Sequence, residues 1–366
     1  MRTIKATLSS GRTFEARSDE TILAAATRAG IWLPSACCAG SCGSCKARIV
    51  TGEFIHNGSV GGLGRTHDPL SALLCRASAL TDITIDVLEL SEPPASEKPP
   101  VLARAVALKR ENDSVIRVTL RFPPFDKPAF KPGQFVGIRH SDGMDRSFSI
   151  ANAPRDDGTI ELHIGRVAGG SFTGHVFEEL KINDVLQVSG PYGNFAYSSQ
   201  DRPSIFIAGG TGIAPVRAIL EALTRENFRS SARVYWGSRM RSGFYIDREL
   251  RDLCAGGTGI EYVPVLSDTD DIWKGRTGPV HEAVLQDFTD LSDFDVYACG
   301  SPAMVDATHE ALSARGARPD RFFADSFHHS GPTACQPIQS RKGLLHDQDQ
   351  GSVCLSHQIL QGHQSK

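Results

Sequence analysis

The sequence predicts a multidomain protein whose three successive segments have α+β, all-β and α/β folds. The first segment contains short strands, one helix and a loop rich in cysteine. The second contains short strands at close spacing, separated by turn residues, a pattern typical of a small β-barrel. The third alternates apolar strands with helical stretches, which predicts a parallel sheet covered by helices on both faces.

Changes in composition divide these segments. The chain has 366 residues, enough for two or three domains of roughly 100–200 residues each. The segment 93–100 is rich in proline and charge, as linkers often are, and a weaker break lies at 197–203. After residue 327 the chain becomes rich in Gln, His and Ser. We therefore expect domains at 1–92, 101–200 and 201–327, followed by a disordered tail at 328–366.

Local patterns place the elements within each segment. Alternating apolar and polar residues between turns mark the strands, and Asp19 is the expected N-cap of the first helix. In the first segment we expect strands at 4–8, 13–16, 46–50 and 83–87 and a helix at 21–29. In the second we expect strands at 103–109, 115–121, 135–139, 148–150, 160–167 and 185–189 and a helix at 173–180. In the third we expect strands at 204–208, 234–236, 260–265 and 295–298.

Charge and hydropathy exclude several classes of partner. The formal net charge is only −3, so we expect no nucleic-acid partner. The sequence has no apolar run long enough for a transmembrane helix, so we expect no membrane partner. Its first residues lack the basic and apolar pattern of an export signal, which predicts a cytoplasmic protein.

Five of the nine cysteines lie in the first quarter of the chain. Cys37, Cys42 and Cys45 have the spacing C-x4-C-x2-C, and Cys75 follows at a distance, which is the ligand pattern of a plant-type [2Fe–2S] cluster. Apart from Cys38, the intervening residues are alanine, glycine and serine, which let backbone N–H groups reach the sulfurs. The alternatives are a zinc site, which usually has two close C-x2-C pairs, or buried free thiols. Cys38 could compete as a ligand, but Cys37 alone gives the four-residue spacing.

Two motifs of the middle segment predict a flavin nucleotide site. The first is an R-x-F-S tetrapeptide formed by Arg146, Ser147, Phe148 and Ser149. Its arginine can pair with a pyrophosphate, its aromatic ring can cover a ring system and its last hydroxyl can bond to a flavin nitrogen. The second motif precedes a helix and includes Gly170, Ser171 and Thr173. A helix N-terminus of this kind can bind phosphate, although it could also be a simple N-cap.

The third segment has motifs for a second nucleotide. The loop after its first strand includes Gly210, Thr211, Gly212 and Pro215. Glycine loops between a strand and a helix bind pyrophosphate, although proline here replaces the third glycine of the dinucleotide fingerprint. Arg239 follows the second strand and is either a ligand for a 2′-phosphate or a solvated surface residue. Cys299 and Gly300 end the last expected strand, where ligands of such sheets bind, although a lone cysteine there is more often a core residue.

Taken in order, these motifs closely resemble the ferredoxin–NADP reductase superfamily. The motifs are CCAGSCGSC with Cys75, RSFS, GGSFT, GGTGIAP, YWGSR and YACGSPAMV. Within the superfamily they are similar to reductases in which a plant-type ferredoxin domain precedes the flavin domain. That subgroup includes reductase components of ring-hydroxylating dioxygenases and phenol hydroxylases, and the reductase of dideoxysugar biosynthesis. The resemblance covers residues 2–327, and the sequence departs from it at Cys38 and in the 39 residues after Phe327.

The resemblance implies a β-grasp ferredoxin domain, a six-stranded FAD-binding barrel and an NAD(P)-binding domain. It implies FAD because the cluster domain comes first. Arg146 and Thr173 would bind the FAD pyrophosphate, Phe148 would pack on the flavin, and Ser149 would hydrogen-bond near N5. Residues 210–215 would hold the NAD(P) phosphates, Cys299 would line the nicotinamide pocket and Phe327 would cover the flavin ring. Ser149 and Cys299 are therefore the catalytic candidates.

The predicted activity is electron transfer in two stages. NADH would give hydride to FAD, and single electrons would pass through the [2Fe–2S] cluster to a protein acceptor, an oxygenase component. NADPH stays an alternative donor because of Arg239. A sugar dehydratase is the alternative acceptor. A different class, a non-catalytic redox sensor, would be expected to have a degraded nucleotide site.

Overall fold

The computed structural model describes residues 3–327 except 37, 39, 41–42, 58–59, 61–62, 64–67, 95–98, 142, 144, 194, 198–201, 226–227, 229, 256–258 and 269. The predicted tail, 328–366, lies outside the described residues. Among the described helices, none combines the length and the apolar character that crossing a bilayer requires.

The first sheet is mixed and carries one helix. Its strand order is β2-β1-β7-β3-β5, with β1 and β7 parallel and the other pairs antiparallel. The helix begins after Thr21, whose hydroxyl accepts a hydrogen bond from Ala24 N at 3.2 Å, so the expected N-cap at Asp19 is wrong. The elements are β1 (Thr3–Leu8), β2 (Thr13–Arg17), α1 (Ile22–Arg28), β3 (Lys46–Thr51), β4 (Phe54–His56), β5 (Ser71–Leu73), β6 (Ala77–Ala79) and β7 (Ile83–Asp86), with β4 and β6 paired separately.

The second sheet is a closed antiparallel barrel. Its strand order is β11-β10-β13-β8-β9-β12, and a bridge between Ile150 and Leu162 joins the two outer strands. Its interior is filled by branched aliphatic residues such as Val118, Leu120 and Ile160. The elements are β8 (Val101–Arg110), β9 (Val115–Arg121), β10 (Phe135–Arg139), β11 (Asp145–Ser149), β12 (Thr159–Gly165), α2 (Ser171–Glu178) and β13 (Val185–Tyr192).

The third sheet is parallel, with the order β17-β16-β15-β14-β18-β19. Separate apolar clusters cover its two faces, one with α3 and α4 and one with α5 and α6. From β14 the chain runs outward to β17 and returns to β18 on the other side, so β14 and β18 flank the point where ligands of such sheets bind. The elements are β14 (Ser204–Gly209), α3 (Ile213–Arg225), β15 (Ala232–Ser238), α4 (Asp247–Cys254), β16 (Ile260–Leu266), β17 (Arg276–Thr277), α5 (Val280–Asp287), β18 (Asp295–Gly300), α6 (Pro302–Ser313) and β19 (Phe322–Ser326).

The predicted fold class, α+β then β-barrel then α/β, is confirmed. Five strands were not predicted: β4, β5, β6, β17 and β19. The first four have only two or three residues, which is too short for a periodic pattern. The fifth, β19, is only partly buried at the edge of its sheet, and it contributes to the site described next.

Candidate functional site

The glycine loop after β14 forms a short 3₁₀ helix at Gly210–Gly212 that leads directly into α3. Gly210 is exposed, has a backbone φ of +54° and faces open space, so a ligand can approach its backbone. A Cβ on Gly212 would lie 2.2 Å from the Cys299 carbonyl oxygen, so the loop packs against β18 only because this residue is glycine. Pro215 lies in the first turn of α3, where no intrahelical N–H is required. The loop therefore has the geometry of a cradle that can bind a pyrophosphate at a helix N-terminus.

Ser149 of the barrel and Cys299 of the parallel sheet meet at one carboxylate. Ser149 Oγ donates to Asp325 Oδ2 at 3.4 Å, and Cys299 Sγ lies 4.0 Å from the same oxygen. Asp325 is opposite Cys299 in the β18–β19 register, and Phe327 N donates to the Gly300 carbonyl oxygen at 2.8 Å. The structure thus brings together both catalytic candidates and the predicted terminal aromatic residue.

The sequence analysis missed Asp325 as a site residue. It lies in the short run FFADSF, and only the pairing of β19 with β18 places it beside Ser149 and Cys299. Burial, and then the Asp325 carboxylate, raise the pKa of the Cys299 thiol well above its ordinary value. The thiol therefore stays protonated near neutral pH and can pack or donate a hydrogen bond, but it is not a thiolate nucleophile.

The predicted flavin residues lie on β11 and at the start of α2. Arg146 and Phe148 are half-buried, whereas Ser147 is exposed and Ser149 is buried. The Phe148 ring stacks on Phe172 of α2, with centroids 5.3 Å apart, so the strand and the helix N-terminus are neighbours.

The loop before α2 is held by a hydrogen bond to a side chain of the helix and contains two adjacent glycines. Thr173 Oγ1 accepts a hydrogen bond from Val167 N at 3.1 Å, so this side chain holds the loop in place. A Cβ on Gly170, the N-cap of α2, would lie 2.8 Å from that hydroxyl oxygen. Gly169 has a φ of +70° and faces open space, and Ser171 is exposed. The bare loop and the N–H groups of the first turn form a second cradle that fits the pyrophosphate of a flavin dinucleotide.

Two of the predicted cluster ligands lie side by side. Cys45 and Cys75 are buried with sulfur atoms 3.2 Å apart, well beyond the about 2 Å of a disulfide bond. Converging thiols of this kind fit an iron–sulfur cluster. The other two predicted ligands, Cys37 and Cys42, lie outside the described residues. Cys38 is exposed and has a left-handed backbone conformation with φ +50°.

A cavity of about 670 Å³ opens beyond the ends of β15 and β16. Arg239 lies at this cavity, together with Arg241, Asp268 and Asp270. Arg241 Nε is 4.0 Å from Asp270 Oδ2, so the cavity is lined by side chains of both charges. The cavity is large enough for part of a nucleotide.

Three family profiles match successive parts of the chain. A 2Fe-2S iron-sulfur cluster binding domain matches residues 6–80, an oxidoreductase FAD-binding domain matches 106–197, and an oxidoreductase NAD-binding domain matches 206–310. Together with the two cradles and the paired thiols, they define an NAD(P)H-dependent oxidoreductase that uses FAD and a [2Fe–2S] cluster. The cofactors predicted from the sequence are confirmed, and so is the prediction that the protein is an enzyme. The enzyme is therefore favoured over the alternative of a non-catalytic redox sensor.

Relatives match this chain over most of their own length. The chain is 37% identical over 321 residues to a CDP-6-deoxy-L-threo-D-glycero-4-hexulose-3-dehydrase reductase of Yersinia pseudotuberculosis, covering 87% of this chain and 96% of that one. It is 32% identical over 324 residues to a terephthalate 1,2-dioxygenase reductase component of Comamonas, covering 87% and 95%. The solved structure of a ferredoxin reductase in carbazole 1,9a-dioxygenase matches with a TM-score of 0.64 and 28% identity, covering 89% and 99%. The chain belongs to the ferredoxin–NADP reductase superfamily, in the subgroup that has a ferredoxin domain ahead of the flavin domain.

Proposed function

We propose that the chain oxidises NADH at a site formed by Ser149, Cys299 and Asp325 and delivers single electrons to a protein acceptor. The observation that carries this proposal is the meeting of the Ser149 hydroxyl and the Cys299 thiol at one carboxylate, where the barrel adjoins the parallel sheet. When bound, the flavin accepts two electrons as hydride and gives them up singly, and the cluster holds one at a time.

The protein's own groups bind and orient. Arg146 and the loop with Gly170, Ser171 and Thr173 would hold the FAD pyrophosphate. The loop with Gly210, Thr211, Gly212 and Pro215 would hold the pyrophosphate of the nicotinamide nucleotide. Phe148 would pack on the flavin and Phe327 would cover its ring, and Asp325 would orient the Ser149 hydroxyl. Cys37, Cys42, Cys45 and Cys75 would hold the cluster. These roles fit domain boundaries near residues 92, 100, 200 and 327.

The cavity beyond β15 supports NADH as the donor. Arg239 is exposed there, and Asp268 and Asp270 line the same opening. A 2′-phosphate would gain from the arginine but would also face two carboxylates, whereas a ribose hydroxyl can donate to a carboxylate. We expect a lower KM for NADH than for NADPH, measured by cytochrome c reduction.

Two acceptors are supported by the relatives. An oxygenase component is the acceptor predicted from the sequence, and relatives such as the Comamonas protein are named as dioxygenase reductase components. A sugar dehydrase is the second candidate because identity to the Yersinia dehydrase reductase is higher, at 37% against 32%. Anaerobically reduced protein should be reoxidised rapidly by the true partner class and slowly by the other.

A cytoplasmic location fits the use of NAD(P)H and the odd number of cysteines, nine in all.

The electron route is tested by removing one predicted cluster ligand. We expect Cys42→Ser to lose cytochrome c reduction but to keep ferricyanide reduction by NADH, because ferricyanide can take electrons from the flavin directly. Cys254→Ser, at a half-buried thiol on α4, is the matched control and should keep both activities. Equal loss of both activities in Cys42→Ser would contradict the cluster as the outlet. Wild-type protein whose flavin is not bleached by NADH would contradict the proposal as a whole.

A further inference from the structure

A cluster of mostly buried charges joins the barrel to the parallel-sheet domain. We call it the charged cluster, and it consists of Arg117 on β9, Glu161 on β12, Arg217 on α3 and Glu249 on α4. Arg117 Nη2 donates to Glu161 Oε1 at 2.9 Å, and Arg217 Nη1 lies 3.5 Å from the same oxygen. Arg217 Nε donates to Glu249 Oε2 at 3.1 Å, and Arg117 also donates to Glu249.

Apart from Glu249, this cluster is too deeply buried to be a surface ion-pair network. The Arg117 and Arg217 side chains are only 12% and 11% exposed. Burying charges carries a desolvation penalty that often cancels the gain from pairing, so a buried network is weak evidence for stability. A role in geometry explains its position better, because such networks fix the relative placement of the elements that supply them.

One face of α3 lies along the backbone that follows β11. We call β11 the flavin strand because it contains the predicted flavin residues Arg146 to Ser149. Arg217 Nη1 donates to the Ala151 carbonyl oxygen at 2.6 Å, and Glu221 accepts from Ala153 N at 3.1 Å. Arg225 Nη1 donates to the Pro154 carbonyl oxygen at 3.1 Å. These three side chains are four residues apart and therefore share one face of the helix.

The same helix starts at the glycine loop. The loop spans Gly210–Gly212 and α3 begins at Ile213, while Ala151 is two residues beyond Ser149 on the barrel side. A rigid helix thus has the nucleotide cradle at its N-terminus and the continuation of the flavin strand along its side. Any shift of α3 along the barrel would move the cradle relative to Ser149.

A second connection runs from the charged cluster to the loop carbonyl. Because Glu161 can only accept, the His163 Nε2–H donates to it at 3.0 Å, and His163 Nδ1 accepts from the Tyr245 hydroxyl at 2.8 Å. The Tyr245 ring packs edge-on against Trp236, with centroids 5.4 Å apart. Trp236 Nε1 donates to the Gly210 carbonyl oxygen at 2.9 Å. The barrel therefore contacts the helix behind the loop directly, and it is linked to the loop through Tyr245 and Trp236.

We propose that Arg217 is a positioning residue for hydride transfer, which holds the nucleotide cradle at a fixed distance from the flavin strand. The inference rests on the proposed route from nicotinamide to flavin. Hydride transfer requires reacting atoms about 3–3.5 Å apart, so a small displacement slows it steeply. Nucleotide affinity depends on the loop's own atoms, which Arg217 does not supply. Its loss should therefore change the rate more than the affinity.

The test is single-turnover reduction of FAD-saturated Arg217→Gln by NADH. We expect the limiting rate of flavin bleaching to fall by roughly 10- to 100-fold, with the Kd for NADH changed by less than about 3-fold and a weaker long-wavelength absorbance of the stacked nicotinamide and flavin. Arg217→Lys keeps the charge but not the planar fork, and should recover part of the rate. Arg318→Gln, which removes an exposed pair with Asp320, is the matched control and should behave as wild type.

Two results would overturn the proposal. One is a lower melting temperature with an unchanged limiting rate in the flavin-loaded protein, because that indicates a structural role alone. The other is a raised Kd with an unchanged limiting rate, because that indicates a role in binding. If Arg217→Gln does not fold, Glu249→Gln replaces it, since this side chain is 37% exposed. There we expect a smaller fall in the limiting rate at constant Kd, and no fall would also overturn the proposal. A wild-type protein that dithionite bleaches but NADH does not would instead contradict the proposed function.

Discussion

The Asp325 carboxylate accepts a hydrogen bond from Ser149 and lies beside the Cys299 thiol, and these groups come from two different domains. A carboxylate accepts from two donors at once, so it can orient both the hydroxyl and the thiol toward a shared ligand. Because the thiol stays protonated, neither side chain needs to gain or lose a proton for hydride transfer. Orientation is therefore the contribution that these side chains can make.

We expect Asp325→Asn to slow flavin reduction by NADH roughly 5-fold, since a hydrogen bond to a charged acceptor is worth about 1 kcal/mol more than one to a neutral amide. The FAD content should stay that of the wild type, because the substitution preserves shape. Single-turnover bleaching of the flavin measures the effect. Asp320→Asn removes an exposed carboxylate six residues before β19 ends and serves as the control. An unchanged rate in Asp325→Asn would refute the orienting role.

Motif-bearing residues of the site could be predicted from the sequence because their chemistry is local. Arg146 to Ser149 lie on one strand, and Gly210 to Pro215 lie in one loop and the first turn of the helix that follows it. Asp325 could not be predicted, because its role arises from strand pairing with Cys299 and from the approach of Ser149, 176 residues away along the chain. A lone aspartate near the end of an ordinary apolar run has no local pattern that marks it.

At the scale of elements, β12 was predicted as a simple barrel strand, and its position is confirmed within two residues at each end. Its two buried titratable residues, Glu161 and His163, could not be assigned partners from the sequence. Their partners lie on β9, on α3 and in the turn before α4, and only the packing of the two domains brings these elements together. The sequence pattern specifies the strand but not the charges that gather around it.

The charged surroundings of β12 predict an acid-sensitive holoenzyme. Burial opposes the charged form of Glu161, but the His163 hydrogen bond and the Arg217 and Arg117 charges outweigh it and lower the pKa to about 2. Because the ordinary value is 4.5, Glu161 contributes stability on the order of 3 kcal/mol above that pH, and this is lost as the pH falls toward 2. For His163, burial is the main cause that lowers the pKa. The free energy of unfolding therefore begins to fall as the pH drops below 6.5, the ordinary pKa of histidine.

We expect His163→Gln to remove part of the loss of stability between pH 6.5 and pH 5, because glutamine can keep both hydrogen bonds without titrating. The apparent melting temperature of the holoenzyme, measured across this range for variant and wild type, gives the comparison. The groups that face His163 are Glu161, Arg117, Arg217 and Tyr245. His281→Gln, on α5 and remote from β12, is the control. Parallel curves for His163→Gln and the wild type would contradict the assignment.

At the scale of the whole molecule, the cysteine loop contacts β10 and β13 of the barrel, and β10 pairs with the strand that contains Ser149. Ala36, one residue before the first predicted ligand, is buried against Phe135 and Tyr192. Phe135 is opposite Ser149 in the β10–β11 register, and its ring lies 5.6 Å from that of Tyr192. The contact is therefore a short connection between the predicted cluster loop and the predicted flavin site. It could not be read from the sequence, because the motifs locate each cofactor within its own domain and do not specify how the domains pack.

We expect Ala36→Gln to separate the cluster loop from the barrel, because the larger side chain does not fit against Phe135 and Tyr192. Electron tunnelling falls steeply with distance, so cytochrome c reduction should drop several-fold while ferricyanide reduction stays at the wild-type level. Iron and labile sulfide content must match the wild type, which shows that the cluster itself is retained. Ala24→Gln, at an exposed position of α1, adds the same side chain away from the contact and should change neither activity. If Ala36→Gln with a full cluster reduced cytochrome c as fast as the wild type, electrons would have to leave the flavin by a route that does not depend on this contact.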